Sequence, residues 1–333
     1  PEIEYVVNAC DAGREGELIF KHVYDLSGSK KPVKRLWISS LEDSAIFDGM
    51  QHLRSAEEYR HLTEAAVCRS QADWLVGMNA TRAYTTKYFK KLTVGRVQTP
   101  TLAMLVERAG QISNFQKEKY FNVELDCDGI PAVKSKIFDP DEAEQLRSRC
   151  QGSEAIVTAV KEAEKKVKAP KLYDLTTLQR EANRIYGMTA KQTLDTAQSL
   201  YEKKLITYPR TDSQYLTEDM EQTARNVVRQ IYEKYQLTGP FDQPEQPDVK
   251  KVMNNSKVTD HHAIIPTMEL TSCHMDELKS WEEKILFLIA VHTVMAMSKD
   301  HIYQETEIEV ECQGEVFKTK GKTVLQDGWK IFE

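Results

Sequence analysis

The sequence predicts an α+β fold divided among several domains, and three observations carry that prediction. An apolar, β-branched run, a turn and a helical pattern open the chain; a long block of helical periodicity fills its middle; and stretches of polar–apolar alternation flank that block on both sides. A chain of 333 residues fits about two domains on length alone and buries about three quarters of its unfolded surface, so it needs no disulfide or metal to hold it together.

The elements follow in order. Glu4-Tyr5-Val6-Val7 reads as a strand, Asp11 to Glu15 as a turn, Leu18 to Leu26 as a helix and Val33 to Ile38 as a second strand, which makes one βαβ unit and hence part of a parallel sheet. From Leu41 to Gln111 the pattern is helical throughout, with no strong breaker before Gly95 and Pro100. Tyr120 to Leu125 and Ala155 to Val160 alternate as half-buried antiparallel strands do. Near the C-terminus Thr306, Ile308, Val310 and Cys312 share one face and Glu307, Glu309 and Glu311 the other, and these distant strands are expected in one sheet. The charged run from Glu164 to Lys171, with Pro170, reads as a hinge-like linker into a helical block from Leu172 to Met297. Within that block Leu175, Leu178, Ala182 and Ile185 form a stripe that Gly187 ends. Thr189 then caps a second helix with Leu194, Ala197, Leu200 and Tyr201 inward and Lys203 and Lys204 at its C-terminal end, where the helix dipole favours cations. The pair matches a helix-turn-helix arrangement, although many helical hairpins look the same. Gly239 to Asn255, with Pro240, Pro244 and Pro247, reads as a long exposed loop.

Composition narrows the class. With 45 Lys+Arg against 51 Asp+Glu, a net charge of −6 and 41% hydrophobic residues, the chain is globular rather than disordered or collagen-like. A mildly acidic total does not exclude nucleic acid, because phosphate binding depends on where Lys and Arg cluster. The longest apolar stretch, Ile285 to Met297, is broken by His292 and Thr293 and reads as a buried helix, not a membrane span. Six cysteines without a C-x-x-C pair, and no secretory leader, predict reduced thiols in the cytoplasm that act as small buried hydrophobes. The chain begins at Pro1 rather than Met, which is expected of a processed protein or a fragment.

The chemistry concentrates after the second helix of the pair, in Leu205-Ile206-Thr207-Tyr208-Pro209-Arg210-Thr211-Asp212-Ser213. Pro209 favours an extended Tyr208, so Tyr208 and Arg210 face the same way. A phenol is a poor nucleophile at neutral pH, and an adjacent guanidinium stabilises both a phenolate and a phosphate under attack. Read alone, the same residues fit a strand-end aromatic beside a solvated arginine.

The string LYEKKLITYPRTDS resembles the active-site motif of type IA DNA topoisomerases, in which a tyrosine attacks a DNA phosphodiester. Two further strings agree: Val94-Gly95-Arg96-Val97-Gln98-Thr99-Pro100-Thr101-Leu102 resembles the family's G-R-V-Q-[ST] segment, and Asp260-His261-His262-Ala263-Ile264-Ile265-Pro266-Thr267 its H-x-A-I-x-P-T segment. The His-His form is closest to the topoisomerase III branch. Together, in the family's order along the whole chain, they are far more specific than any one alone.

The resemblance implies that Tyr208 is the nucleophile, that Arg210 positions the scissile phosphate and that His261 stands beside the active site, where an imidazole can share protons near neutral pH. It implies DNA contacts from Arg96, Gln98, Thr99, His262, Thr211, Asp212 and Ser213, with Lys87, Lys90 and Lys91 adding a salt-sensitive term. Asp11-Ala12-Gly13-Arg14-Glu15 resembles the Toprim D-x-D-x-E signature, whose carboxylates bind Mg²⁺. Asp11 and Glu15 match its outer positions, but Gly13 stands where the middle Asp usually is, which leaves a weaker two-carboxylate site. The same residues also suit a helix start, with Asp11 as N-cap and Glu15 and Glu17 in the first turn. An earlier strand with a catalytic glutamate, and a C-terminal continuation, are expected from the family and have no counterpart in these residues.

The resemblance therefore implies a toroid-like α+β core in four parts: a partial Toprim domain over 1–40, a helical domain over 41–115, a β arch over 116–170 and 299–333, and a Tyr-bearing, helix-turn-helix-containing domain over 171–298. The activity implied is ATP-independent cleavage of single-stranded DNA through a 5′-phosphotyrosine, strand passage and religation, by a monomer with Mg²⁺ and no nucleotide cofactor, in keeping with the lack of a Walker string. A catalytically incomplete DNA-binding relic of the same fold and a Toprim nuclease are the alternatives. A tyrosine recombinase is disfavoured because its basic residues precede the tyrosine, whereas here Arg210 and the histidines follow it.

Overall fold

A computed structural model describes residues 3–40, 42–237 and 247–333. In chain order the elements are β1 (Val6–Asn8), α1 (Arg14–Ser27), β2 (Val33–Arg35), α2 (Asp43–Gln51), β3 (Arg54–Ser55), α3 (Arg60–Tyr88), α4 (Gln98–Ser113), β4 (Phe121–Cys127), β5 (Ile130–Ile137), α5 (Pro140–Cys150) and β6 (Ile156–Val167). There follow α6 (Leu175–Tyr186), α7 (Ala190–Glu202), α8 (Glu221–Tyr235), α9 (Ser280–Ala296), β7 (His301–Cys312) and β8 (Glu315–Gln326). The chain divides into two compact units, one of 1–100, 169–299 and 332–333 and the other of 101–168 and 300–331.

In the first unit β1 and β2 pair in parallel across α1, as the βαβ pattern requires, and the short β3 adds antiparallel to β2 inside the stretch expected to be helical throughout. Two residues of strand leave no periodicity to read. The main core of this unit lies among α6, α7, α8 and α9. Asp174 and Thr189 cap α6 and α7 through capping boxes, and Gly187 closes α6 in the left-handed region at φ 67°, where a Cβ would be strained. Leu178, Ala182, Ala197 and Leu200 are buried as expected, joined by Thr193, whereas Ile185 is 45% exposed because α6 ends one residue later and its last turn clears the core. α9 buries Ile285, Leu286, Ile289, Ala290 and Val294. Among the described residues no helix is long and apolar enough to cross a membrane.

The loop expected over Gly239 to Asn255 falls partly on 239–246, outside the described residues; beyond them Val249 and Val252 are buried in a 3₁₀ turn rather than exposed. Those two apolar side chains supply the reason, as they complete the core around α8.

The second unit is built on a five-stranded antiparallel sheet ordered β4-β5-β8-β7-β6. It joins the expected strands in one sheet, and α5 covers a small core of Val123, Ala132, Ile137, Leu146, Val310 and Phe317. The run Glu164 to Val167 is not linker but the end of β6, paired from Glu164 opposite Gln304 to Val167 opposite His301. Its charged side chains, Glu164, Lys165 and Lys166, are all exposed, with Lys166 paired to Asp300, and that is why the composition mimicked a hinge. On β7, Glu307 and Glu309 meet Lys318 and Lys320 of β8. Of the cysteines, all free thiols, Cys150 and Cys312 are buried, but Cys68 is exposed on α3 and the rest are half-buried, so the expectation of buried hydrophobes holds for two.

Candidate active site

The turn after β1 sets the first part of the site. Gly13, with extended backbone at φ −167°, is the N-cap of α1 and makes no side-chain cap, so Asp11 is not the cap expected from sequence. The Asp11 carbonyl instead folds back over α1: it accepts from the Gly13 N–H at 2.8 Å, and a Cβ on Gly16 would lie 2.1 Å from it. Arg35, 1% exposed on β2, fixes this path. Its guanidinium donates to the carbonyls of Asn8, Cys10, Leu36 and Asp11 at 3.1, 2.6, 2.6 and 2.5 Å and pairs with Glu17 at 2.7 Å. Glu17, read from sequence as a first-turn charge, is thus a buried counter-ion that also accepts from Asn8 and from Thr63 of α3. Buried charges persist only when paired and hydrogen-bonded in this way.

The second part comes from two segments far apart in sequence. Leu205 to Thr207 runs against Ile265 to Thr267, with Thr207 N–H donating to Ile265 O and Thr267 N–H to Leu205 O, both at 3.0 Å. The Thr207 hydroxyl donates to Ala263 O and accepts from the Ile265 N–H, also at 3.0 Å. Further on, Thr211 Oγ1 donates to His261 O at 2.9 Å and Ser213 Oγ to Lys257 O at 2.9 Å. Thr211 and Ser213 are buried, so their hydroxyls are spent on joining the two segments, and exposed Asp212 accepts from Thr259.

These pairings bring three of the expected residues together. The Tyr208 ring packs on His261 with centroids 4.4 Å apart, and Tyr201 of α7 meets its edge at 5.2 Å. On its other side His261 Nε2 lies 3.3 Å from Asp11 Oδ2. Arg210 is exposed, with no carboxylate partner among the described residues. His262 Nδ1 sits 2.9 Å from Ala263 O; a carbonyl only accepts, so Nδ1 carries the hydrogen, and burial pushes this imidazole down toward its neutral form.

Asp260, quoted in the sequence motif without a role, proves to be part of this cluster. A Cβ on Gly13 would lie 2.2 Å from each of its carboxylate oxygens, so the space that any side chain at 13 would enter is filled by a carboxylate from another segment. Burial pushes the Asp260 carboxyl up; His261 lowers it, and Asp212 and Asp11 raise it further. The glycine at an otherwise acidic position was the available signal, but its partner is visible only in three dimensions.

The remaining expected residues lie elsewhere. Arg96 Nε pairs with Asp73 of α3 at 2.6 Å, and the Thr99 hydroxyl accepts from the Gly95 N–H at 3.1 Å at the start of α4. Among the described residues no hydrogen bond, ion pair or ring contact links Arg96, Gln98 or Thr99 to Tyr208, His261 or Asp11. As for metal, Asp11 gives one oxygen to the His261 imidazole and Glu15 gives one to the Arg69 guanidinium, while their side chains stay 55% and 59% exposed. No group of three or more His, Cys, Asp or Glu converges on a metal position among the described residues. Mg²⁺ keeps most of its waters and takes one or two carboxylates, so the exposed oxygens of either residue suit it chemically.

A family model described as DNA topoisomerase matches residues 57–333. The chain is 42% identical over 339 residues to DNA topoisomerase 3 of Bacillus subtilis (strain 168), covering 99% of this chain and 46% of that protein. It is 40% identical over 337 residues to DNA topoisomerase 3 of Staphylococcus epidermidis, covering 99% and 47%. Among solved structures, full-length topoisomerase I from Thermotoga maritima superimposes with a TM-score of 0.71 at 25% identity, over 96% of this chain and 53% of that one. The chain thus spans about half the length of the curated relatives it matches.

Proposed function

Because this chain belongs to the DNA topoisomerase family, we propose that it is the nucleophile-bearing core of a type IA, topoisomerase III-like enzyme that cleaves and reseals single-stranded DNA. The observation that carries the reading is the tilted packing of Tyr208 against an imidazole that also meets Asp11. In this reading the Tyr208 phenolic oxygen attacks a backbone phosphorus, forming a 5′-phosphotyrosine as the bond to the 3′-oxygen breaks. The phenol gives up its proton and the departing 3′-oxygen takes one, and resealing is the reverse. No bond energy is lost to water, so no nucleotide is required.

Arg210 holds the non-bridging oxygens, and its charge matters most as the phosphate approaches its transition state. His261 shares a proton with the phosphate, and Asp11 keeps its ring in place. Asp11 and Glu15 would hold Mg²⁺, which when bound offsets negative charge around the phosphate. Arg96, Gln98, Thr99, His262, Thr211, Asp212 and Ser213 serve the DNA path, the exposed side chains by contact and the buried hydroxyls by shaping the segments beside it. The four-part layout over 1–40, 41–115, 116–170 with 299–333, and 171–298 is retained in this proposal, as are a monomeric state and a cytoplasmic place with the chromosome.

The test is a labelled single-stranded oligonucleotide incubated with the chain and with Tyr208→Phe, followed by denaturing electrophoresis. A covalent adduct is expected with the wild type and not with the variant, and Arg210→Ala should lower its yield at least about tenfold. Equal adduct from wild type and Tyr208→Phe removes the nucleophile assignment. A DNA-binding relic is the second reading, favoured by Gly13 at the middle acidic position; it expects oligonucleotide binding with no adduct from either chain.

A further inference from the structure

Close to the Tyr208 segment, two lysines converge on one phenol. Lys257 Nζ lies 3.4 Å from the Tyr215 hydroxyl and 4.9 Å from its ring centroid, and Lys171 Nζ lies 5.5 Å from the same centroid. Both lysines are exposed, and among the described residues neither has a carboxylate partner. Like charges held together around a neutral group repel one another, and an anion placed between them removes that cost. Burial alone would raise the Tyr215 phenol, yet the two lysines outweigh it and hold the group below its ordinary value.

The three side chains stand on anchored backbone. The Lys171 carbonyl accepts from His292 Nε2 of α9 at 2.8 Å, and that imidazole stacks on Tyr173 at 3.7 Å. Lys257 O accepts from the Ser213 hydroxyl, and Tyr215 O accepts from the Ala263 N–H at 2.9 Å. The cluster is therefore tied to both segments that carry Tyr208 and His261. Ammonium groups and a phenolic hydroxyl are donors suited to phosphate oxygens, and the ring offers a face to a sugar or base.

We infer that Tyr215, Lys171 and Lys257 form a phosphate subsite that holds the backbone of a single-stranded nucleic acid beside the reaction centre. This rests on the proposed function and adds a place where the strand is gripped away from the scissile bond.

The test measures binding of a fluorescent single-stranded oligonucleotide by anisotropy across a salt series, for the wild type, Lys171→Ala/Lys257→Ala and Tyr215→Phe. Each cationic side chain taken away from a phosphate of a single strand lowers the slope of log K against log salt by about 0.7, so the double variant should lose about 1.4 and bind about tenfold or more weakly at low salt. Tyr215→Phe should weaken binding about threefold with the slope unchanged. Inorganic phosphate at matched ionic strength should compete no better than chloride if the subsite reads a polymer backbone; strong competition would assign it to free phosphate and overturn the proposal. Binding by the double variant with an unchanged slope overturns the subsite alone. A wild-type chain that binds no oligonucleotide overturns the subsite and the proposed function together. Circular dichroism of each variant checks that the substitutions leave the fold intact.

Discussion

Glu282 at the start of α9 offers a quantitative test of how the nucleophile's segment is held. Its side chain is 3% exposed and accepts from Ser199 Oγ at 2.6 Å, Lys203 Nζ at 2.7 Å and the Lys279 N–H at 2.8 Å. Burial alone would raise this carboxyl, but the Lys203, Ser199 and Lys279 donors overcome it and hold the group at about 2, against an ordinary 4.5. A gap of that size corresponds to about 3 kcal/mol. Lys203 is 39% exposed, so solvent screens part of its charge and about 2 kcal/mol is the working figure. Because the folded value is depressed, the contribution is complete above the unfolded value near 4.5 and is lost as pH falls through the folded value of about 2. Glu282→Gln keeps the shape and removes the charge. Urea unfolding at pH 7 should show the variant less stable by about 2 kcal/mol, with most of that difference gone by pH 2.5. An equal deficit at both pH values would show that packing, not the carboxylate, is what the substitution removes. Ser199 lies on α7 and Lys203 caps it, two residues before Leu205, so the same variant should also loosen the segment that ends in Tyr208.

Two further outcomes are expected. Glu17→Ala strands the buried Arg35 guanidinium and should cost about 3–5 kcal/mol in urea unfolding; Glu17→Gln, which keeps acceptor geometry but not charge, should cost less, and a cost near zero for both would refute the buried pair. Gly13→Ala drives a methyl into the Asp260 carboxylate and should cost about 1–3 kcal/mol, with most of that cost disappearing in an Asp260→Ala background; additive costs in the double-mutant cycle would show that the two positions do not meet.

How much of this was legible in the sequence depended on how local the cause was. The caps at Asp174 and Thr189, the stop at Gly187 and the opening βαβ unit are set within a few residues, and periodicity and turn chemistry reveal them. β8 carries Lys318, Lys320 and Lys322 along a ribbon whose neighbours are charged as well, so its pairing with β7 left little hydrophobic alternation to find. The same reason hid the end of β6 inside an apparent linker. In the site, Tyr208, His261 and Asp11 were read through their motifs, while Asp260 and Tyr215 gain meaning only from partners distant in sequence: Gly13 for one, Lys171 and Lys257 for the other.

The stitching between 205–211 and 261–267 decides where this cluster can come apart. Main-chain and threonine hydrogen bonds bind those two stretches at several points, whereas His261 touches Asp11 through one contact of 3.3 Å and Ser39 reaches Thr259 O by a single hydroxyl. Under any displacement the weak seam is the one that yields. Tyr208 and His261 would travel together on one piece, keeping their ring contact, while Asp11 stays behind on its Arg35-braced turn. The acid would then be the component that is removed and returned, and its return would re-register the imidazole against the phenol it already faces.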